Sequence, residues 1–553
     1  AAGLEPSPPA DKRTLIRRVT FDLTGLPPTP EQVEAFLSDS APDAYPRLID
    51  RLLESPQYGE QWTRHWLDVA RYSDTKGYVY AREERFWVHA PAYRDWVVGA
   101  FNDDLPYDQF LLLQIAADQA APDDRKAWAA MGFLTLGRRF LGVTHDIIDD
   151  RIDVLTRGTM GLTVACARCH DHKYDPIPTT DYYALYGVFL NSTEQMDRIA
   201  EPTFLNDVSA AFEKELVQRQ EQLRDTTFAK RMEAQDRFRQ RVTDYLVAQT
   251  ELSKYPEEGF GQNLATTDVI PMTVRRWEGW LAMEARWVDP VFRPWRQFAA
   301  LKSDEFVTQA PDLIRQLAEY RPSLNPRVLR ALANLPATMR DVAEVYGKLL
   351  LEVDGEWQAA CMAAKQAGRS EPVALDLPEA EELRQVLYGT GSPCLIPEEA
   401  LVSTEWFFDS SSVVELSKLQ GEVDRWLIQS AKASPYAVSL VDRQWLRPSR
   451  VFRRGNPANR GPEVSRHFVS VVAGEKPPPF QKGSGRLELA QAIIDPNNPL
   501  TTRVWVNRVW QHHFGSGLVR TASDFGVRAE QPSHPQLLDW LASRFVADGW
   551  STK

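Results

Sequence analysis

Cysteine is scarce in this chain. Four in 553 residues cannot build the disulfide lattice of a small secreted module. Long apolar runs are missing as well. The quietest stretch, Gly158 to Ala167, is far shorter than the ~18 residues of a membrane-spanning helix. No basic start followed by an apolar segment marks a secretory leader. Positive charge does not dominate: Lys+Arg 64 against Asp+Glu 76 gives a net charge of −12. Nucleic acid is therefore not the expected partner, because binding it requires a basic stripe that displaces counterions. The sequence has no phosphate-binding loop, no dinucleotide-binding glycine pattern and no H-E-x-x-H helix, which sets those chemistries aside. Internal repeats and low-complexity tracts are absent too.

What is present is an ordinary globular composition on a long chain. Hydrophobic residues make up 43% and charged residues 25%, close to the average for folded soluble proteins. Domains usually run ~100–200 residues, so three or four structural units are expected. The 17 tryptophans suggest well-packed helices or aromatic-lined pockets. Residues 1–200 read as short helices between turns punctuated by Pro6, Pro9, Pro27, Pro28, Pro30 and Pro42. Lys12–Leu23 is predicted helical. Thr29-Pro-Glu-Gln32 is a helix start, with a threonine cap and proline in the first position. Trp62, Trp66, Val69 and Ala70 recur at helical spacing across Gly59–Tyr72, and Tyr93–Phe101 and Tyr107–Ala117 look similar. Phe212–Thr250 is a long charged helical stretch: a solvated helix with one packed stripe, a helical hairpin or a coiled-coil arm. Residues 261–450 are mostly helical, with proline-rich breaks at 311–336 and 387–397. Residues 451–485 read as an irregular link, and Leu487–Ile494, Thr502–Phe514 and Pro535–Ala547 as closing helices. The expected fold is mainly α: a multi-segment helical protein with proline-rich connections, divided at 1–200, 201–450 and 451–553. Both chain ends read as cut edges that leave room for a removed export signal or an upstream domain.

Two of the cysteines fall together, in Cys166-Ala-Arg-Cys169-His170. Random placement of four cysteines and nine histidines would give C-x-x-C-H about 5 × 10⁻⁴ times in this length. It is the attachment pattern of c-type haem, and the chemistry requires the order. Two thiols add across the haem vinyl groups, and the following imidazole becomes the axial base of the iron. This places the expected haem site in the N-terminal part. Two other readings stay open. Zinc held by Cys166, Cys169, His170 and His172 has the right ligand types, although His170 beside both thiols closes a tetrahedron poorly and no second C-x-x-C exists. A redox dithiol or a structural disulfide is the other, although such a pair usually opens a helix after a buried strand. Haem c is attached outside the cytoplasm, so the motif carries an expectation of export to the periplasm or cell envelope. In an oxidising compartment Cys361 and Cys394 either pair or stay as separate buried side chains.

Longer stretches carry a resemblance. Pro6-Ser-Pro-Pro-Ala-Asp-Lys-Arg-Thr-Leu-Ile-Arg-Arg-Val-Thr-Phe-Asp-Leu-Thr-Gly-Leu-Pro-Pro-Thr-Pro30 resembles the opening of the planctomycete cytochrome c domain family. So do His65-Trp-Leu-Asp-Val-Ala-Arg-Tyr72, Asp149-Asp-Arg-Ile-Asp153 and Cys166-Ala-Arg-Cys-His-Asp-His-Lys-Tyr-Asp-Pro176. Gly485-Arg-Leu-Glu-Leu-Ala490, Asn498-Pro-Leu500 and Val506-Asn-Arg-Val-Trp-Gln-His-His-Phe-Gly515 resemble the planctomycete-specific domain that follows it. The resemblance implies an exported haem protein fused to further cytochrome or carbohydrate-related modules. A redox partner protein or a further cytochrome domain is then the expected partner. It also implies that the C-terminal domain runs past Lys553. It implies no reaction, because both families are domains of unknown function.

With His170 as axial base, the sixth iron ligand decides function. Electron-transfer cytochromes fill that position with His or Met, whereas catalytic haems leave it open or weakly held. The sequence offers His145, His512, His513 and Met160; His172 lies too near His170 to reach the opposite face easily. Asp149, Asp150, Arg151, Asp153 and Arg157 form a dense charged patch before the motif. Arg151 and Arg157 suit haem propionates, the aspartates suit Ca²⁺, and a solvated helix face with local ion pairs suits the whole set. Arg71 with Asp68, and Arg508 with Asn507, suggest a polar pocket lined by Tyr72, Tyr78, Trp87 and Trp510. His512, His513, Arg508 and Arg71 are the expected catalytic groups. Three functions follow: a haem-dependent oxidoreductase with carbohydrate-related substrates, an electron-transfer or scaffold cytochrome, or a non-haem protein with zinc or a disulfide at C-x-x-C-H.

Overall fold

Local capping chemistry sets where the first helices start and stop. α1 (Lys12–Thr24) begins at Asp11, whose carboxylate accepts the Thr14 N–H at 3.0 Å, and ends at Gly25 in the left-handed region. α2 (Pro30–Ser38) opens with the reciprocal capping box of Thr29 and Gln32, with Pro30 in the first position. There follow α3 (Ala44–Leu53), α4 (Pro56–Val69), α5 (Ala90–Asn102), α6 (Tyr107–Ala120), the single turn α7 (Gly132–Thr135), α8 (Thr144–Met160), α9 (Thr179–Leu190) and strand β1 (Ser192–Arg198). A second helical series comprises α10 (Asp207–Gln240), α11 (Val242–Ala248), α12 (Pro271–Ala282), α13 (Arg293–Ala299), α14 (Phe306–Glu319), α15 (Pro326–Leu332), α16 (Met339–Gln366), α17 (Pro378–Tyr388), α18 (Leu401–Thr404) and α19 (Ser410–Ile428). The chain closes with β2 (Tyr436–Asp442), β3 (Ser449–Phe452), β4 (Arg460–Val464), α20 (Ser470–Ala473), α21 (Arg486–Ile494), α22 (Thr501–Phe514) and α23 (Pro535–Ala547). This computed structural model describes residues 7–79, 83–200, 207–256, 262–319, 324–429, 436–444, 446–457 and 459–553. Pro6 lies outside them.

The chain divides into two compact units: Ala1–Phe212 with Leu427–Asn456 and Arg460–Lys553, and Glu213–Trp426 with Pro457–Asn459. In the first unit the core is aromatic. Trp66 of α4 is fully buried against Phe110, Phe133 and Trp505, and Trp505 of α22 stacks on Tyr107 at 4.3 Å between centroids. The indole N–H of Trp66 is not left unpaired: it donates to Gln114 Oε1 at 2.9 Å and reaches Tyr93 Oη at 3.0 Å. Beside this core lies a buried ion cluster. Arg486, 0% exposed, donates to both Asp118 carboxylate oxygens at 2.9 and 2.7 Å and to Asp442 Oδ1 at 2.9 Å. Asp442 also accepts from Ser484 N–H at 2.8 Å and Gln119 Nε2 at 3.0 Å. At the end of the chain, Asp104 receives Ser551 Oγ at 2.6 Å and Thr552 N–H at 2.8 Å.

The second unit has its own core, in which Trp277, Phe292 and Tyr346 are all but fully buried and Tyr346 Oη donates to the Val291 carbonyl at 2.6 Å. Its first long helix, α10, is the charged stretch of the sequence. Leu216 and Phe238 are buried on it, whereas Phe228 and Met232 are exposed. α16 starts with a second capping box, Thr338 with Asp341.

The fold is mainly α, and the departures from expectation have local causes. Pro311 does not break the chain: it sits inside α14. Residues 320–323, within the same expected break, lie outside the described residues. The segment expected to be irregular contains the β3–β4 hairpin, paired Ser449↔Val464 and Phe452↔Arg460. β1 pairs antiparallel with β2, from Ser192↔Asp442 to Arg198↔Tyr436. Its partner lies far along the chain, which local periodicity does not register. Cys361 and Cys394 are both free.

Replacing Arg486 by Met is expected to leave two carboxylates without their cation and to destabilise the first unit by about 3–5 kcal/mol. Urea unfolding measures it; a loss below about 1 kcal/mol would refute a structural role for the cluster.

Candidate functional site

The C-x-x-C-H motif is placed by what ends α8. Gly161, at φ 64°, stops the helix, and a short 3₁₀ turn, Val164–Arg168, follows. Val164 and Ala167 of this turn are buried, whereas Cys166, Cys169 and His170 face outward together. Both thiols are free and exposed. No strand leads into the turn, so it lacks the setting of a strand-to-helix redox dithiol.

Three elements hold the motif from behind. From α9, Tyr183 Oη donates to the Arg168 carbonyl at 2.9 Å. From α8, Asp146 pairs with the Arg168 guanidinium at 2.9 Å, with Asp149 at 3.6 Å. Gly455, in the turn between β3 and β4, lies against Cys169. A Cβ there would come within 2.6 Å of the sulfur, so the close approach and the φ of +71° both require glycine. On the far side of the loop, Phe525 N–H donates to the Gly161 carbonyl at 2.8 Å and Val527 N–H to Asp175 at 2.7 Å.

The two histidines of the loop differ. His170 Nδ1 lies 2.7 Å from the Asp171 carbonyl oxygen. A carbonyl only accepts, so Nδ1 carries the proton and Nε2 presents its lone pair, the arrangement of a metal-ligating imidazole oriented by a backbone carbonyl. His172 is consumed by structure: its Nδ1 accepts the Asp175 N–H at 2.8 Å and its Nε2 lies 3.0 Å from Thr163 Oγ1. Two outward thiols and one outward imidazole lone pair are the donor set of a c-type haem, and these three residues fit it. A zinc site including His172 does not form, and no group of three metal-ligating side chains occurs among the described residues.

The other nominated residues are spread over the first unit. His145 is buried, with Nδ1 2.5 Å from Tyr186 Oη and its ring edge-on to Phe452. Met160 is buried, and its sulfur accepts from Asn498 Nδ2 at 3.6 Å. Arg151 points inward to the carboxylate of Glu194, which Arg139 also grips at 2.8 Å. Burial alone would raise the Glu194 carboxyl; the two guanidiniums hold it below its usual range. Arg151 is thus spent on β1 rather than free for a propionate. Arg157 pairs with Asp153 on the helix surface at 2.7 Å. The aspartates do not converge on a cation, correcting the calcium expectation. Asp149 accepts from Tyr182 Oη at 2.7 Å, Asp150 pairs with Arg71 at 2.8 Å, and burial raises both carboxyls. Arg71 itself takes a left-handed φ of 54° after α4, and Gly137 makes room for its pair with Asp150.

Arg508 is buried and donates to the Gly158 and Arg157 carbonyls, capping the end of α8. Asn507 clasps Val519 by its N–H and carbonyl, at 2.8 and 2.9 Å. The Arg168 contacts sit at the other end of α8, and roughly 14 Å of helix separates Asp149 from Gly158 at 1.5 Å per residue. His512 and His513 lie one turn beyond Arg508 and pack on α4, not on the C-x-x-C-H motif. His512 stacks on His65 at 3.7 Å between centroids, and Trp62 touches His65 at 5.6 Å and His513 at 5.3 Å. His65, not singled out in the sequence, begins the His65–Tyr72 motif; its link to His512 exists only in space. Tyr78 is 90% exposed, Trp87 is buried and Trp510 packs at a tilt against Phe514, so the expected aromatic lining does not form one pocket.

The first unit thus defines a class: a helical protein presenting an outward, unpaired C-x-x-C-H. Residues 1–194 match the family PSCyt2, a protein of unknown function (DUF1549), and residues 485–553 match PSD1, a protein of unknown function (DUF1553). These are the cytochrome c-related planctomycete domain and its companion that the sequence motifs resemble. No curated protein and no solved structure matches the chain.

Partial burial, His65 and His513 together push His512 down to about 4, so it is neutral in the folded protein near pH 7. An unfolded imidazole titrates near 6.5. Between those values the unfolded chain binds more protons, so stability falls as pH drops through that window. His512→Gln is expected to lose less thermal stability between pH 7 and pH 5 than the parent; equal losses would rule out this origin. In protein made without haem, Cys166 and Cys169 are expected to react fast with a thiol reagent. Cys394, fully buried with its thiol pushed up to about 12, is expected to react only on unfolding. A thiol titration before and after denaturant checks the order.

Proposed function

We propose that this chain is an exported c-type haem protein, with Cys166 and Cys169 as the thioether sites and His170 Nε2 as the axial base, and that it acts as a redox enzyme. The observation that carries the reading is the donor set itself: two free thiols and one oriented imidazole on a single exposed turn. Bound there, the haem supplies one-electron chemistry at iron. The chain's part would be to hold Cys169 beside the Gly455 turn and to keep His170 in one tautomer.

The enzyme reading is supported by the occupations of the nominated sixth ligands. His145 and Met160 are buried and hydrogen-bonded, His172 is committed to its own loop, and His512 and His513 pack on α4. With these groups engaged elsewhere, a bound haem would not draw its second axial ligand from them, which supports the enzyme reading. Carbohydrate-related substrates and export rest on the family resemblance and the attachment chemistry. The exposure of the motif favours a second reading, electron transfer to a partner, since a haem held by these surface residues would lie within reach of another protein.

None of the described helices is long and apolar enough to cross a membrane. The redox partner is proposed, from the family resemblance, as a separate protein or a further cytochrome domain. The test is expression with a haem c maturation system. A mass gain of one covalent haem, lost in the Cys166→Ala/Cys169→Ala double variant, is expected, with a high-spin ferric spectrum that cyanide shifts. A bare polypeptide mass overturns the haem. A low-spin spectrum untouched by cyanide overturns the enzyme reading and leaves electron transfer.

A further inference from the structure

The surroundings of the C-x-x-C-H motif carry several exposed cations. The turn that packs on Cys169 contains Arg453 and Arg454, both exposed, with Arg454 in the left-handed region at φ 56°. Neither arginine makes an ion pair among the described residues. Across the loop, Lys173 and Arg528 are exposed and lie over the Tyr174 ring, at 5.2 and 5.0 Å, without a carboxylate partner. The nearby acids are engaged: Asp146 and Asp149 with Arg168, Asp171 with the Thr179 N–H, Asp175 with the Val527 N–H. Four cations without ion pairs among the described residues thus flank the outward thiols on two sides, beside the hydrogen-bonded carboxylates of Asp171 and Asp175, in a chain whose net charge is −12. Beyond about 8–10 Å ordinary salt screens the distant negative charge, so the local rim governs encounter.

We infer that Lys173, Arg453, Arg454 and Arg528 form a docking rim for an acidic protein surface that exchanges electrons through the exposed motif. The inference rests on the haem reading and adds the partner's chemistry. The test uses ferrous holoprotein and two oxidants, trianionic hexacyanoferrate(III) and tricationic tris(phenanthroline)cobalt(III). One electron leaves ferrous haem, giving ferric haem and the reduced complex. Raising ionic strength from about 10 to about 200 mM is expected to slow the anionic oxidant about fivefold and to speed the cationic one. A glutamate peptide at low salt is expected to slow the anionic oxidant, and Arg453→Glu/Arg454→Glu to reverse the salt dependence. Anionic oxidation that accelerates with salt in the parent, as the net charge alone dictates, overturns the rim. A colourless preparation ends the haem reading and the electron exchange with it, and leaves only the cationic rim to be tested. The rim is then read from the free thiols, which should react faster at low salt with a dianionic disulfide than with a neutral one, and lose that preference in the double arginine variant.

Discussion

One buried guanidinium closes the first unit. Arg486 sits between Asp118 and Asp442, so a single side chain joins the end of α6, the end of β2 and the start of α21. Charges removed from water are costly unless each finds a partner, and here the surrounding Ser484 and Gln119 donors complete the carboxylate shell. The geometry admits little else: Gly483 leaves no room for a side chain beside Asp442. Such a cluster specifies an arrangement more than it stabilises one. With it in place, α22 lies where Trp505 meets Tyr107 and where Arg508 caps α8, and α8 in turn presents the loop that carries the motif.

The same logic separates structural from chemical residues in the N-terminal half. Several charged side chains drawn inward pair with one another. Glu194 holds Arg139 and Arg151, and Asp150 holds Arg71. His172 gives both ring nitrogens to its own loop. In the C-x-x-C-H loop, the two thiols and the His170 lone pair face out. Their exposure is a consequence of the short turn, whose buried positions, Val164 and Ala167, anchor it while alternate residues point away.

Much of the helical frame was legible in the sequence, because it is locally encoded. The Thr29–Gln32 capping box, the Trp62–Trp66 spacing and the Pro535 helix start each need only neighbours within one turn. The strands were not legible. β1 carries no clean alternation of its own, and its partner β2 is remote in sequence. The charged run at 149–157 was legible as a helix face but not as a division of labour. Only packing sends Arg151 inward to β1 and leaves Arg157 outside. His65 shows the same limit, since a stacked imidazole pair from α4 and α22 has no linear signature.

What the sequence determined by itself is the chemistry available: the order C-x-x-C-H, the helix caps, the mainly α character and the two family segments. These depend on short-range spacing, which covalent geometry and hydrogen bonding within a turn enforce. What only the tertiary structure decided is which of those groups remain free to act. His145, Met160, Arg151 and Arg508 became framework because burial obliges each polar atom to find a partner, and the partners come from distant segments. Cys166, Cys169 and His170 stayed at the surface because their own turn satisfies its backbone and leaves these side chains to solvent.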